Sequence, residues 1–268
     1  MDFLALCSQV QNAVRQAAKH MEQVFTTQEK ESSANIVTSA DLAVQAELEQ
    51  TLCALLPGSA LFGEESVGRA ASAAYLWVVD PVDGTTNFAR GIPECAISVA
   101  LLVENEAVVG VVYSPARDRM FCAVRGMGAW CNASPIHVSA RPFSNGLLCT
   151  AMSLYKKEYA PACMSIISEA YLQCNDIRRF GSCALELCYL ACGECDLYFE
   201  FRVFPWDYAA AALILQEAGG IIRGLHGAAL THDRTTPLIA ANTQSNYEHL
   251  SSIVSKHIPQ VPYQEVLR

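Results

Sequence analysis

Apolar positions near the start of the chain recur at intervals of three and four. Leu6, Val10, Val14, Ala17, Met21 and Val24 share one helical face, and Asp2 stands where an N-cap is needed. Residues 26–35 are polar and charged with few large apolar side chains, which predicts a mobile loop. A second helix is predicted over 39–56, with Leu42, Ala46, Cys53 and Leu56 on its apolar face and Pro57-Gly58 as its stop.

The pattern then shortens to strand length. Residues 75–79 form an apolar run that ends at Asp80. Runs over 97–103 and 107–113 flank Glu104-Asn105-Glu106, a hairpin signature, and 119–124 and 129–131 flank a turn at 125–128. A further strand is expected at 136–138. Pro142 and Asn145-Gly146 mark a loop over 139–146, where the chain divides into an N-terminal part, 1–143, and a C-terminal part, 144–268. The second part alternates: strands over 147–151, 178–180, 196–201 and 237–241, and helices over 158–172, 182–192, 206–218 and 244–256. Alternating strands and helices predict a layered α/β architecture.

Composition narrows the function classes. With 268 residues, of which 52% are hydrophobic and 17% charged, the chain can bury a large core and has little scope for disorder. The formal net charge is −9, which argues against nucleic acid bound through its phosphate backbone. The apolar stretch 96–103 is broken by Ser98, and no apolar run in the chain approaches the roughly 20 residues of a membrane span. The first ten residues lack the basic segment of a secretory signal, so the expected location is cytoplasmic, with reduced thiols. Cys192 and Cys195 form a C-x-x-C, but Cys188 and Cys192 fall among leucines on a predicted helix, so packing is favoured. The histidines show no zinc-ligand spacing.

Three acidic segments carry the chemistry: Gly63-Glu64-Glu65-Ser66, the string from Trp77 through Asp80-Pro81-Val82-Asp83-Gly84-Thr85-Thr86-Asn87-Phe88, and Pro205-Trp206-Asp207. In the second, a strand delivers Asp80, Pro81 fixes a turn, Val82 offers a carbonyl and Asp83 projects from the same bend. Carboxylates and a carbonyl converging in this way make a hard-oxygen site suited to Mg²⁺. The N–H groups of Gly84-Thr85-Thr86 follow, free to hold phosphate oxygens. A metal-assisted phosphoester hydrolase requires both. A phosphatase of the haloacid-dehalogenase type would need a nucleophilic Asp two residues before Asp83, where Pro81 stands.

These motifs, with Val37-Thr38-x-x-Asp41, Gly126-x-Gly128-Ala129, Phe180-Gly181-Ser182 and Glu217-Ala218-Gly219-Gly220, resemble the inositol monophosphatase family over nearly the whole chain. The resemblance implies an α-β-α-β-α sandwich of the carbohydrate-phosphatase, fructose-bisphosphatase-like fold. It also implies two or three Mg²⁺ ions, sensitivity to lithium and a homodimer. Glu64, Asp80 and the Val82 carbonyl would hold a first metal, and Asp80, Asp83 and Asp207 a second. A weaker third would touch Glu64; Asn35, where many relatives have Asp, puts it in question. Gly84 and Thr85 would bind phosphate through backbone N–H groups. Asp41 and Thr85 would orient the attacking water, supported by Glu65. Gly181, Ser182, Cys183, Glu200 and Arg202 would contact the leaving group, with Arg202 paired to Glu200 or free to meet an anion. Lys30 is a candidate to close over the phosphate. The expected activity is hydrolysis of a small phosphorylated polyol or sugar by in-line attack of metal-activated water, myo-inositol monophosphate first. Fructose 1,6-bisphosphate, histidinol phosphate, 3′-phosphoadenosine 5′-phosphate and NADP are alternatives. A non-catalytic binding subunit on the same fold is the alternative of another class.

Overall fold

A computed structural model describes residues 1–32, 35–66, 73–152 and 157–258. In chain order the elements are α1 (Phe3–Ala17), β1 (Thr27–Ser32), β2 (Asn35–Thr38), α2 (Ser39–Leu55), β3 (Ala60–Gly63), β4 (Tyr75–Asp83), α3 (Thr85–Ala89), β5 (Ala96–Val103), β6 (Glu106–Ser114), β7 (Arg119–Val124), β8 (Gly128–Cys131) and β9 (Ser134–Pro135). They continue with β10 (Leu147–Thr150), α4 (Ala160–Tyr171), β11 (Asp176–Arg178), α5 (Cys183–Ala191), β12 (Leu197–Val203), α6 (Pro205–Glu217), β13 (Ile221–Arg223), β14 (Thr236–Ala241) and α7 (Gln244–His257). No helix among the described residues is long and apolar enough to cross a membrane.

Three apolar cores stack these elements into five layers. Alternate residues of a seven-stranded sheet, ordered β3-β4-β5-β6-β7-β8-β9, face opposite ways. Trp77, Val79, Val99 and Val111 face α1 and α2. Leu76, Val78, Ala100 and Val112 face α5 and α6. Those two helices also cover one side of a five-stranded sheet, ordered β11-β10-β12-β14-β13, through Tyr198, Val203 and Leu238. Its other side, with Leu197, Phe199, Phe201 and Ile239, packs on α4 and α7. The result is the layered α-β-α-β-α sandwich that the resemblance implied. Position 143/144 falls between the last strand of the first sheet and the first strand of the second. There the fully buried Asp196 carboxylate ties the crossing segment to β10, taking donors from Ser139, Arg141, Asn242 and the Leu147 N–H.

The structure corrects several local expectations. The stretch read as a mobile loop is an antiparallel hairpin in which Thr27, Gln28 and Glu29 pair with Thr38, Val37 and Ile36. This ribbon lies outside both large sheets, so β1 carries no apolar alternation to reveal it. The first helix stops at Ala17, tightens into a 3₁₀ turn through Glu22, and leaves Val24 fully exposed. On α2 the inward face is Val44, Leu48 and Leu52 rather than Leu42 and Ala46, which are exposed. The helix is rotated because Asp41, closing a capping box with Thr38, is itself buried. The strand expected at 136–138 is instead a two-residue pairing at Ser134–Pro135.

The central helix α6 approaches the larger sheet through small residues. A Cβ at Gly110 would lie 2.6 Å from the Ala210 carbonyl oxygen. Backbone cannot yield there, so Gly110→Ala should lower unfolding free energy by about 1–3 kcal/mol. It should do so by moving the urea midpoint without changing the m-value; a wild-type midpoint would refute this close contact.

Candidate active site

Asp80 and Asp83 are three positions apart, an odd spacing that on a regular strand would send them to opposite faces. The pairing of β4 with β5 is irregular between these residues, and that irregularity re-aims Asp83. Both carboxylates thereby line one pocket of about 280 Å³, together with Glu64 from the end of β3 and Asp207 from the first turn of α6. Gly84 then turns the chain with φ +89°, and a Cβ there would meet the Glu94 carbonyl oxygen at 2.8 Å. Only glycine satisfies both constraints. The short helix α3 starts at Thr85, so the first N–H groups of its turn have no partner within the helix and stand beside the carboxylates.

The four carboxylates share one arrangement. Each has one oxygen held by protein and the other without a hydrogen-bond partner among the described residues. Glu64 Oε1 takes the Lys30 ammonium at 3.0 Å, and Asp80 Oδ1 takes the Val82 N–H at 3.0 Å. Asp83 Oδ2 takes the Ser182 hydroxyl and the Ala184 N–H, and Asp207 Oδ2 takes the Phe204 N–H at 2.7 Å. None of the free oxygens is sealed from solvent. Oriented carboxylates with a spare, reachable oxygen are what a hard divalent cation needs from its ligands, so the donor set fits Mg²⁺. The groups are not drawn to a single point: among the described residues no three acidic, His or Cys side chains form a closed metal cage.

Electrostatics agrees with a site built for cations. Burial, reinforced by the charges of Glu64, Asp83, Asp207 and Asp41, holds the Asp80 carboxyl well above the usual range. Burial and then the Asp83 charge do the same to Asp207. Burial pushes Asp83 up to about 6 against the donors on its Oδ2, and Glu64 up to about 7 against the neighbouring Lys30. A bound cation would reverse that preference for the neutral acids.

The remaining expected residues fall into three positions. Thr85 Oγ1 lies 3.3 Å from Asp41 Oδ1 and 3.0 Å from the Val82 carbonyl oxygen, so the threonine hydroxyl and the fully buried Asp41 meet beneath the pocket. Gly181, Ser182, Cys183, Glu200 and Arg202 line the same pocket. Glu65 and Lys30 do not line it. Lys30 is ion-paired with both Glu64 and Glu65. Arg202 forms no pair with Glu200, which instead accepts the Tyr198 hydroxyl at 2.6 Å; the Arg202 guanidinium lies over the Phe204 ring at 4.8 Å. The Asn35 side chain lies outside the described residues.

Sequence reading missed Arg90, Arg179, Asn87 and Glu186, all of which line the pocket. Asn87 donates to the carbonyls of Glu94 and Phe180, tying the Asp83 turn to the 180–182 segment. Glu186 accepts the N–H groups of Phe180 and Gly181 at 2.6 and 3.0 Å. It is the one charged residue in the apolar helix 183–191, a signal that was legible. Burial pushes its carboxyl up to about 8. The folded state therefore keeps this proton where the unfolded chain, at about 4.5, has lost it. Stability from this group is present below pH 4.5 and is lost as pH rises toward about 8. Glu186→Gln keeps the acceptor oxygen, so its urea midpoint should vary less with pH between 5 and 8 than that of the wild type. Equal pH slopes would refute the assignment.

Comparison with known proteins agrees with this geometry. The sequence model of the Inositol monophosphatase family matches residues 3–259. The Nus factor SuhB of Salmonella typhimurium is 38% identical over 200 residues, which are 74% of this chain and 75% of that protein. The extragenic suppressor protein suhB of Bartonella henselae superimposes with a TM-score of 0.86 at 29% identity, covering 94% of this chain and 99% of that one. An IMPase of Thermotoga maritima does so with a TM-score of 0.85 at 26% identity, covering 99% and 100%. Five layers, the acidic pocket and a family match over nearly the entire length lead to one conclusion: the chain belongs to the inositol monophosphatase family.

Proposed function

We propose that this protein is a Mg²⁺-dependent phosphomonoesterase acting on a small phosphorylated polyol or sugar, with myo-inositol monophosphate as the reference substrate. One observation carries the reading. Four carboxylates, Asp80 and Asp83 buried and Glu64 and Asp207 half-buried, each with a free oxygen reachable from the pocket, abut the unpaired N–H groups of the Gly84-Thr85-Thr86 turn. Glu64, Asp80, Asp83, Asp207 and the Val82 carbonyl would hold the ions. Bound there, Mg²⁺ supplies a lowered pKa for water and offsets the charge of the phosphate.

The chain's own groups do the rest. Gly84 and Thr85 hold the phosphate oxygens through their N–H groups. The Asp41 carboxylate accepts the Thr85 hydroxyl hydrogen bond, which orients the hydroxyl oxygen toward the attacking water, and Glu65 supports this pair. Ser182, Cys183 and Glu200 receive the hydroxyl-bearing side of the leaving group, and Gly181 shapes the turn that carries them. Attack in line on phosphorus needs no covalent enzyme intermediate. The homodimer and the lithium sensitivity that the resemblance implies belong to the same proposal.

The test is phosphate release, with and without Mg²⁺, from myo-inositol monophosphate, fructose 1,6-bisphosphate, histidinol phosphate, 3′-phosphoadenosine 5′-phosphate and NADP. Mg²⁺-dependent release from at least one is expected. A second reading, a binding subunit on the same fold, draws on the name of the Salmonella relative, a Nus factor. Absence of release from every substrate would leave that reading standing and overturn the first.

Thr85→Ala removes the hydroxyl that faces Asp41 and leaves the backbone N–H. It should lower kcat on the order of 10²-fold, with little change in the Mg²⁺ concentration needed for half-maximal rate. A near-normal kcat would remove Thr85 from the chemistry.

A further inference from the structure

The pocket is lined by both signs of charge: the four carboxylates with Glu186 and Glu200, and Arg90, Arg179 and Arg202. Seven other described arginines each hold a carboxylate in an ion pair. Among the described residues, the arginines that hold none are Arg90, Arg179, Arg202 and Arg223, and the first three line this one pocket.

Arg202 is the most constrained of the three. On β12 the side chains alternate: Phe199 and Phe201 enter the outer core, while Glu200 and Arg202 turn to the pocket. Glu200 is a ready partner two residues away, yet its carboxylate goes to Tyr198. Arg202 instead rests on Phe204, which stacks on Trp206 with centroids 4.8 Å apart and planes 4° from parallel. A guanidinium stacked on a ring is held in place while the N–H fork in its plane stays free. That fork matches the oxygens of a phosphate. Arg179 acts on the Glu200 charge, whereas a neutral polyol would leave the Arg202 fork without an anion to pair with.

We propose that Arg202, with Arg179 and Arg90, binds a second phosphate on the leaving alcohol, so that the preferred substrates are bisphosphorylated polyols or sugars rather than monophosphates. The inference rests on the phosphatase reading above and names the substrate class of that same site. The phosphate that leaves is held by Gly84 and Thr85, and the alcohol that leaves keeps the second phosphate against the arginines.

The test is a matched pair that differs only in that group: fructose 1,6-bisphosphate, read as formation of fructose 6-phosphate, against fructose 1-phosphate, read as formation of fructose. The wild type should favour the bisphosphate in kcat/KM by about tenfold or more, mostly through KM, the scale of a charge-assisted contact. In Arg202→Gln that preference should shrink toward unity, and in Arg179→Gln it should fall part of the way. The ratio within one variant cancels any loss of active protein. A wild-type ratio near one overturns the inference while leaving the phosphatase reading intact. So does a preference that survives unchanged in Arg202→Gln. Absence of product from both sugars overturns this inference alone when myo-inositol monophosphate still releases phosphate, and both readings when no substrate of the panel does.

Discussion

The crowding of like charges at a site partly withdrawn from water is the constraint around which this molecule is arranged. Glu64, Asp80, Asp83 and Asp207 come from three separate places in the chain, and burial raises the pKa of every one. Such a set is costly to keep in a folded protein unless something of positive charge belongs among them. The elements that deliver them are anchored by bonds that use one oxygen of each group and spare the other. The Asp83 bonds to Ser182 and Ala184 also start helix α5, so the same carboxylate that faces the pocket joins the two sheets' shared helical layer.

The hairpin β1–β2 answers part of the charge. Lys30 reaches Glu64 and Glu65, and Thr38 at the end of β2 forms the capping box that buries Asp41. The segment is thus tied at both ends to acidic residues of the site. Beyond the Asp83 turn, Asn87 bridges to Phe180, and Glu186 fixes the N–H groups of Phe180 and Gly181. These contacts set the distance between the Gly84-Thr85-Thr86 turn and the 180–182 segment.

Much of this was legible in residue order. The helices and strands of the second half follow from periodicity, because each buries a face on a neighbouring layer and its apolar spacing must match that face. The string from Asp80 to Asn87 is legible because its carboxylates, its carbonyl and its turn N–H groups are neighbours in sequence, so the arrangement is local. The hairpin at 27–38 was not legible, since it packs against neither large core and needs no apolar alternation. The apolar face of α2 was misread for the opposite reason: a charged residue, Asp41, belongs on the buried side, and hydrophobicity alone cannot show that.

By itself the sequence determined the layered α/β class, the acidic residues of the pocket and the glycine turn beside them. Each depends on spacing along the chain: a period of two or three and a half, or donors within one bend. Tertiary structure decided what distance in sequence conceals. It rotated α2, directed Lys30 to Glu64 and Glu65, left Arg202 over the Phe204 ring instead of paired with Glu200, and brought Arg90 and Arg179 to the same pocket. Those outcomes turn on which partner is nearer once the layers close, a competition among charges from separate elements that no local pattern records.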